Sequence, residues 1–277
     1  MLLLLGTGCE SRSFKAQRAL WRANFLFQKI SQNPFAISEY EVNKAIAAYR
    51  KIIDDFSDNP SAVVLAQKGI GYIYLVKKQY QSARKEFSKL LKNCDEKNNI
   101  CSDAEFLIGR TFEMEGNWQE AEKVYKTIIN SYPLTIRGLQ MPFYLINKHR
   151  MAKEILEMKA SVHNAIEHYS RLLNSQQNNH GLALLLTKLI AQCYLLGEDW
   201  PNFIKTLDAL IDKFSLDKQS ISNILLTKAL VYERELKDRD AAASIFQKIQ
   251  TDYPNTRGAD IAKEYLKRQE KEIKENK

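Results

Sequence analysis

Four cysteines, Cys9, Cys94, Cys101 and Cys193, are the residues of this 277-residue chain best suited to covalent chemistry. Cys94 and Cys101 bound the polar stretch CDEKNNIC, and two thiols at that spacing form a candidate local disulfide in an exported protein. Zinc is not indicated, because no second cysteine pair and no histidine cluster lies nearby. Cys193 stands in LIAQCYLL, an apolar setting that suits a small core residue better than a reactive thiol. His163 and His168 miss the i,i+4 spacing that would align them on one helical face, so both read as solvated. The chain contains no G-x-x-x-x-G-K-[ST] phosphate loop, H-E-x-x-H zinc helix or G-x-S-x-G elbow. GIGYIY (69–74) lies inside a helical pattern and not after a strand, so its glycines read as packing features. Carboxylates alternate with lysines, as in EKEIKENK, in the manner of solvated helix surfaces. The expectation is a non-enzyme with no metal, cofactor or small-molecule substrate.

The elements that carry these residues follow from composition and periodicity. The chain is 45% hydrophobic and 27% charged, too apolar for disorder, and its 10 Gly and 6 Pro are too few for a turn-rich β fold. A net charge of +8 tolerates anionic neighbours without singling out nucleic acid, and none is expected as a partner. In GNWQEAEKVYKTIINSYP, Trp118, Ala121, Tyr125 and Ile128 recur at three- and four-residue spacings, one face of an amphipathic helix. That pattern has a longer period. Ala45/Tyr49/Ile52 recurs as Ala83/Phe87/Leu90, Ala121/Tyr125/Ile128, Ala165/Tyr169/Leu172, Phe203/Leu207/Leu210 and Ala242/Phe246/Ile249. The middle residues are 38, 38, 44, 38 and 39 positions apart. Twelve residues before three of the first-position residues stand Gly71, Gly109 and Ala191, each followed by an aromatic: Tyr74, Phe112 and Tyr194. The reading is a set of helix hairpins in which small residues on helix A admit helix B, with short turns between them.

These residues resemble the tetratricopeptide repeat. Ile108, Gly109, Phe112, Ala121, Tyr125, Ile128 and Pro133 fall on its consensus positions, as do Ile70, Gly71, Tyr74, Ala83, Phe87 and Leu90. Gln67 and Glu105 depart from it, standing where the family has a large apolar residue. The resemblance implies an all-α solenoid of about six hairpins over 39–255, closed by a polar capping helix and charged tail at 256–277. The 44-residue interval predicts an irregular or displaced helix within 133–160, with Pro142 opening a helix at its first turn. The resemblance also implies a groove lined by helices A that binds protein partners, and here Lys68, Tyr72, Phe106, Arg110, Lys188 and Gln192 would face it. This set lacks the asparagines of the co-chaperone clamp that holds a C-terminal carboxylate, so that function is set aside.

The N-terminus decides the expected compartment. LLLLGTGC resembles the end of a bacterial lipoprotein signal, which implies that residues 1–9 are residual signal and that Cys9 carries a lipid anchor. The run is shorter than usual and lacks a basic n-region, which an upstream start codon would supply. The alternative is a frayed terminus with Cys9 as a surface thiol. Residues 10–38 read as a basic helical segment: no acidic residue follows Glu10 until Glu39, while Arg12, Lys15, Arg18, Arg22 and Lys29 are basic. Such a segment favours an anionic membrane surface. Anchor plus repeats implies an envelope scaffold facing the periplasm, at the outer membrane in preference to the inner, resembling a component of outer-membrane protein assembly in layout. The competing readings are a cytoplasmic adaptor and a non-catalytic subunit of an envelope enzyme complex.

Overall fold

The computed structural model describes residues 11–92, 98–176 and 178–275. Cys9 and Cys94 lie outside them. Among the described residues the chain is all-α, with thirteen α-helices that pair into six hairpins and a final helix. The hairpins are α1 (Arg12–Gln32) with α2 (Glu39–Asp55), α3 (Pro60–Val76) with α4 (Tyr80–Ser88), and α5 (Asn99–Glu115) with α6 (Trp118–Ser131). They continue as α7 (Ile136–Ala152) with α8 (Ile155–Ser175), α9 (His180–Leu196) with α10 (Trp200–Lys213), and α11 (Lys218–Arg234) with α12 (Arg239–Asp252). Then comes α13 (Arg257–Glu275). No described helix is long and apolar enough to cross a membrane. The chain forms two compact units, Met1–Met141 and Pro142–Lys277, with the boundary inside α7.

Local sequence explains where the helices start and turn. Asn59, Asn117, Asn179, Asp199, Asp217 and Asp238 each accept a backbone N–H of the first turn, and Ser38 and Glu41 form a reciprocal capping box. The five A-to-B turns after the first hairpin share one device: a single residue with left-handed backbone, Lys78, Gly116, Lys153, Glu198 or Lys237. In each turn the next residue donates its N–H back to a carbonyl of the preceding helix, as Asn117 does to Phe112 at 2.9 Å and Glu154 to His149 at 2.9 Å. This closure satisfies helix-end carbonyls. Only one of the five turns uses glycine.

Within each unit the cores run between consecutive helices. In unit 1, Ala45, Tyr49 and Ile52 of α2 join α1 and α3, and Phe87 of α4 joins Leu107 and Ile108 of α5. In unit 2, Phe203 and Leu207 of α10 meet Val231 of α11, and Ala242 and Phe246 of α12 meet Ala259 and Ala262 of α13. The periodic positions are therefore core, as their spacing implied. Gly71 and Gly109 face the rings of Phe87 and Tyr125 of their own hairpins, and a Cβ added to either would collide with that ring. Gly69 faces the other way, onto Tyr49 of the preceding hairpin, where a Cβ would come within 2.5 Å of the ring.

Three features differ from the sequence reading. First, α1 packs as the partner of α2, with Ala16, Leu20, Ala23 and Ile30 in the shared core, so the basic segment is helix A of the first hairpin. Second, Pro142 lies inside α7 rather than opening a helix, in a stretch, 133–160, that is helical apart from the turns at its start and before α8. Proline costs that helix one backbone hydrogen bond. The long interval arises in α8, which has 21 residues where α6, α10 and α12 have 14. Third, His168 is buried on α8, stacked edge-on against Tyr169, while His163 is exposed beside Glu167. Helix α8 turns His168 toward the core together with Val162, Ala165 and Tyr169.

Candidate functional site

The candidate site of unit 1 is built from outward-tilted positions of α3, α5 and the start of α7. On α3, Leu65, Lys68 and Tyr72 stand at i, i+3 and i+7, one row on a helix. The matching row on α5 is Asp103, Phe106 and Arg110. Asp103 is the hinge of the group: Lys68 Nζ donates to one carboxylate oxygen at 3.1 Å and Arg137 Nε to the other at 2.7 Å. The Arg137 guanidinium also lies over the Phe106 ring, 4.0 Å from its centre. Partial burial works to raise the Asp103 carboxyl, but the hydrogen bonds and charges of Arg137 and Lys68 outweigh it and hold the group below the ordinary carboxylate range. A cation–anion–cation row is thus fixed beside an aromatic floor.

Tyr72 and Phe106 are only half-exposed. Tyr72 packs between Phe27 of α1 and Phe87 of α4, with ring centres 6.3 and 5.7 Å away. Burial first, and then the Asp103 charge, raise the Tyr72 hydroxyl above its usual pKa, against the opposing pull of Arg137. Phe106 leans on Tyr125 at 6.0 Å. Arg110 pairs with Glu113 at 3.1 Å, and the Tyr125 hydroxyl donates to the same carboxylate at 2.9 Å. By contrast Leu65 is 55% exposed and gives the row an accessible apolar group.

The sequence-derived residues therefore fall in two places. Lys68, Tyr72, Phe106 and Arg110 come together in unit 1, and Lys188 and Gln192 are exposed on α9 in unit 2, next to exposed Leu185 and Leu195. Sequence reasoning missed Asp103 and Arg137. Asp103 was accessible through its place one turn before Phe106, whereas nothing in the helical period marks Arg137, which lies at the second position of α7.

One of the two departures from the repeat pattern finds an explanation. Gln67 is buried and donates to the buried Glu86 of α4 at 2.5 Å, and Glu86 accepts from Lys89 at 2.6 Å. A polar pair fills the place of an apolar contact. Glu105 is half-buried, and desolvation raises its carboxyl pKa. Of the cysteines, Cys193 is free and fully buried, and burial pushes its thiol up to about 12, the state of an inert core residue. Cys101 is buried and disulfide-bonded, its sulfur 3.9 Å from the Leu90 carbonyl. Lipidation at Cys9 and the Cys94 side of the expected pairing lie outside the described residues.

Two stretches, 103–135 and 224–256, match the tetratricopeptide repeat family model. Both end on equivalent residues, Thr135 and Thr256, whose hydroxyls accept the N–H groups of Gly138 and Ala259 at the start of the next helix. No curated protein matches the chain. Among solved structures, PilF of Pseudomonas aeruginosa is similar at 16% identity over 92% of this chain and 99% of its own, with a TM-score of 0.34. A tetratricopeptide repeat protein of Parabacteroides merdae is similar at 13% identity over 92% of this chain and 94% of its own, with a TM-score of 0.32.

Proposed function

We propose that this chain, two stretches of which match the tetratricopeptide repeat model, is a non-catalytic protein-interaction scaffold, lipid-anchored in the bacterial envelope. Its partner docks on the helix-A surface of unit 1. The observation that carries the docking site is the row Lys68–Asp103–Arg137 beside Leu65 and Phe106. Two cations share one carboxylate, so one positive charge is left over at a fixed place. An exposed Leu lies in the same row. That combination fits a partner segment with a carboxylate next to an apolar side chain, and arginine and aromatic groups are the types that most often carry interface energy. The anchor is supported by the leucine run ending in Gly-Thr-Gly-Cys at Cys9 and by the acid-free basic segment after it. We propose outer-membrane protein assembly as the process because a lipid-anchor motif ahead of such repeats is the layout of a component of that machinery.

Each part has its own test. Fractionation of the wild type and Cys9→Ser, with fatty-acid labelling, tests the anchor; a wild type that stays soluble and takes up no label rejects it. Pull-down from detergent-solubilised membranes tests docking. Leu65→Glu with Arg137→Glu is expected to lose the wild-type partner while keeping the helical circular-dichroism signal. Full recovery of that partner by the double variant removes the docking site from unit 1.

A further inference from the structure

The exposed side of α1 carries a row of large aromatics. Its inner row, Ala16, Leu20, Ala23 and Ile30, is buried in the core with α2 and α3. Directly opposite stand Phe14, Trp21 and Phe25, within about 40° of one another on a helix of 3.6 residues per turn. They are 50%, 68% and 49% exposed. Trp21 stacks on Phe25 with ring centres 6.2 Å apart, and the Lys29 ammonium lies 4.8 Å over the other ring partner, Phe25. A row of large aromatics facing water is costly to leave uncovered and marks a contact surface.

Charge indicates what covers it. The 21 residues of α1 contain five basic side chains and no acidic one. Lys15, Arg18, Arg22 and Lys29 are exposed along one flank of the aromatic row. Trp and Phe at the centre with Lys and Arg at the flank is the composition of a helix lying in the headgroup layer of a membrane. Amphipathic aromatics settle at that depth, and the cations meet anionic headgroups. Nucleic acid fits less well: Trp21 and Lys29 both pack against Phe25, so that ring is occupied within the helix and is poorly placed to stack on a base. The sequence just before α1 carries the apolar run Leu2–Leu5. We infer that the outward face of α1 rests on an anionic lipid surface, with Phe14, Trp21 and Phe25 in the headgroup layer and Lys15, Arg22 and Lys29 on the lipid charges. This contact requires no lipid on Cys9, and it would orient the scaffold as well as hold it.

The test uses the full chain as Cys9→Ser, so that acylation contributes nothing, in co-sedimentation with vesicles of phosphatidylcholine alone or mixed with phosphatidylglycerol. The protein is expected to pellet with the anionic vesicles and to stay in the supernatant with the neutral ones. Lys15→Gln with Arg22→Gln should weaken that binding about thirtyfold. Trp21→Ala with Phe25→Ala should weaken it about tenfold or more, with an unchanged melting temperature because both side chains are exposed. Absence of binding to anionic vesicles, or full binding by the aromatic variant, overturns the inference. So does tighter binding to a single-stranded oligonucleotide that is lost in the same aromatic variant. Failure here leaves the anchor reading intact, since that reading depends on fatty-acid labelling of the wild type.

Discussion

The ring of Phe87 fills the space that a side chain on Gly71 would need, so the α3–α4 hairpin closes on a glycine and an aromatic pressed together. The same pairing recurs between Gly109 and Tyr125 in α5–α6. A methyl group at Gly71 has nowhere to go, because Phe87 is fully buried and hemmed in by α5. Overpacking of this kind costs about 1–3 kcal/mol, offset by about 1 kcal/mol of better helix propensity. Gly71→Ala is expected to lower stability in a denaturant titration, and Phe87→Leu in the same chain should recover part of the loss. Additive losses for the two changes would show that the residues do not touch.

Ala121 and Tyr125 test the interior of α6. Both are fully buried, and the Tyr125 hydroxyl bonds to Glu113. Ala121→Leu should cost about 1–3 kcal/mol by overpacking, and Tyr125→Ala about 3–5 kcal/mol through the cavity it leaves. Tyr125→Phe should cost only about 1 kcal/mol, the usual net value of one hydrogen bond. Thermal melts that rank the three variants otherwise would contradict the packing around α6.

The repeating turn offers a gain in place of a loss. Lys78, Lys153 and Lys237 hold left-handed backbone with φ near 60°, a region that penalises residues with a Cβ. Glycine removes that penalty. Lys78→Gly and Lys237→Gly are each expected to raise stability by about 0.5–1 kcal/mol, and Gly116→Ala to lower it by a similar amount. Unchanged melting temperatures for all three would show that these turns relax away from the left-handed form.

What the sequence revealed and what it hid follow from the range of each interaction. Buried stripes repeat at the helical period, so Tyr49, Phe87, Tyr125, Tyr169 and Phe246 were legible as core, and they are buried. The left-handed turns were not, because four of the five use Lys or Glu, which carry no turn signature. Pro142 was misplaced because a proline signals a helix start, whereas here it lies inside α7. Asp103 binds Lys68 and Arg137, each more than thirty positions away, and no local spacing encodes such a meeting. His168 was read from its spacing to His163 alone, while its neighbour Tyr169 already marked the buried side of α8.

That buried histidine gives the protein a pH dependence of definite sign. His168 is 7% exposed, and its Nε2 has no hydrogen-bond partner among the described atoms. Burial first, and then the nearby Arg171 charge, push its pKa down from 6.5 to about 4. The folded protein therefore keeps the ring neutral where the unfolded chain would protonate it. Stability from this group is complete above pH 6.5 and drains away as pH falls toward 4, since the unfolded state alone gains the proton in that window. The total is on the order of 3 kcal/mol. Carboxylate titration contributes its own slope at the acid end of the window, so the informative quantity is the difference between proteins. His168→Leu should lose much less stability than the wild type between pH 7 and 4.5 in parallel urea titrations. Equal losses in the two proteins would mean that His168 is protonated, or reaches water, in the folded state.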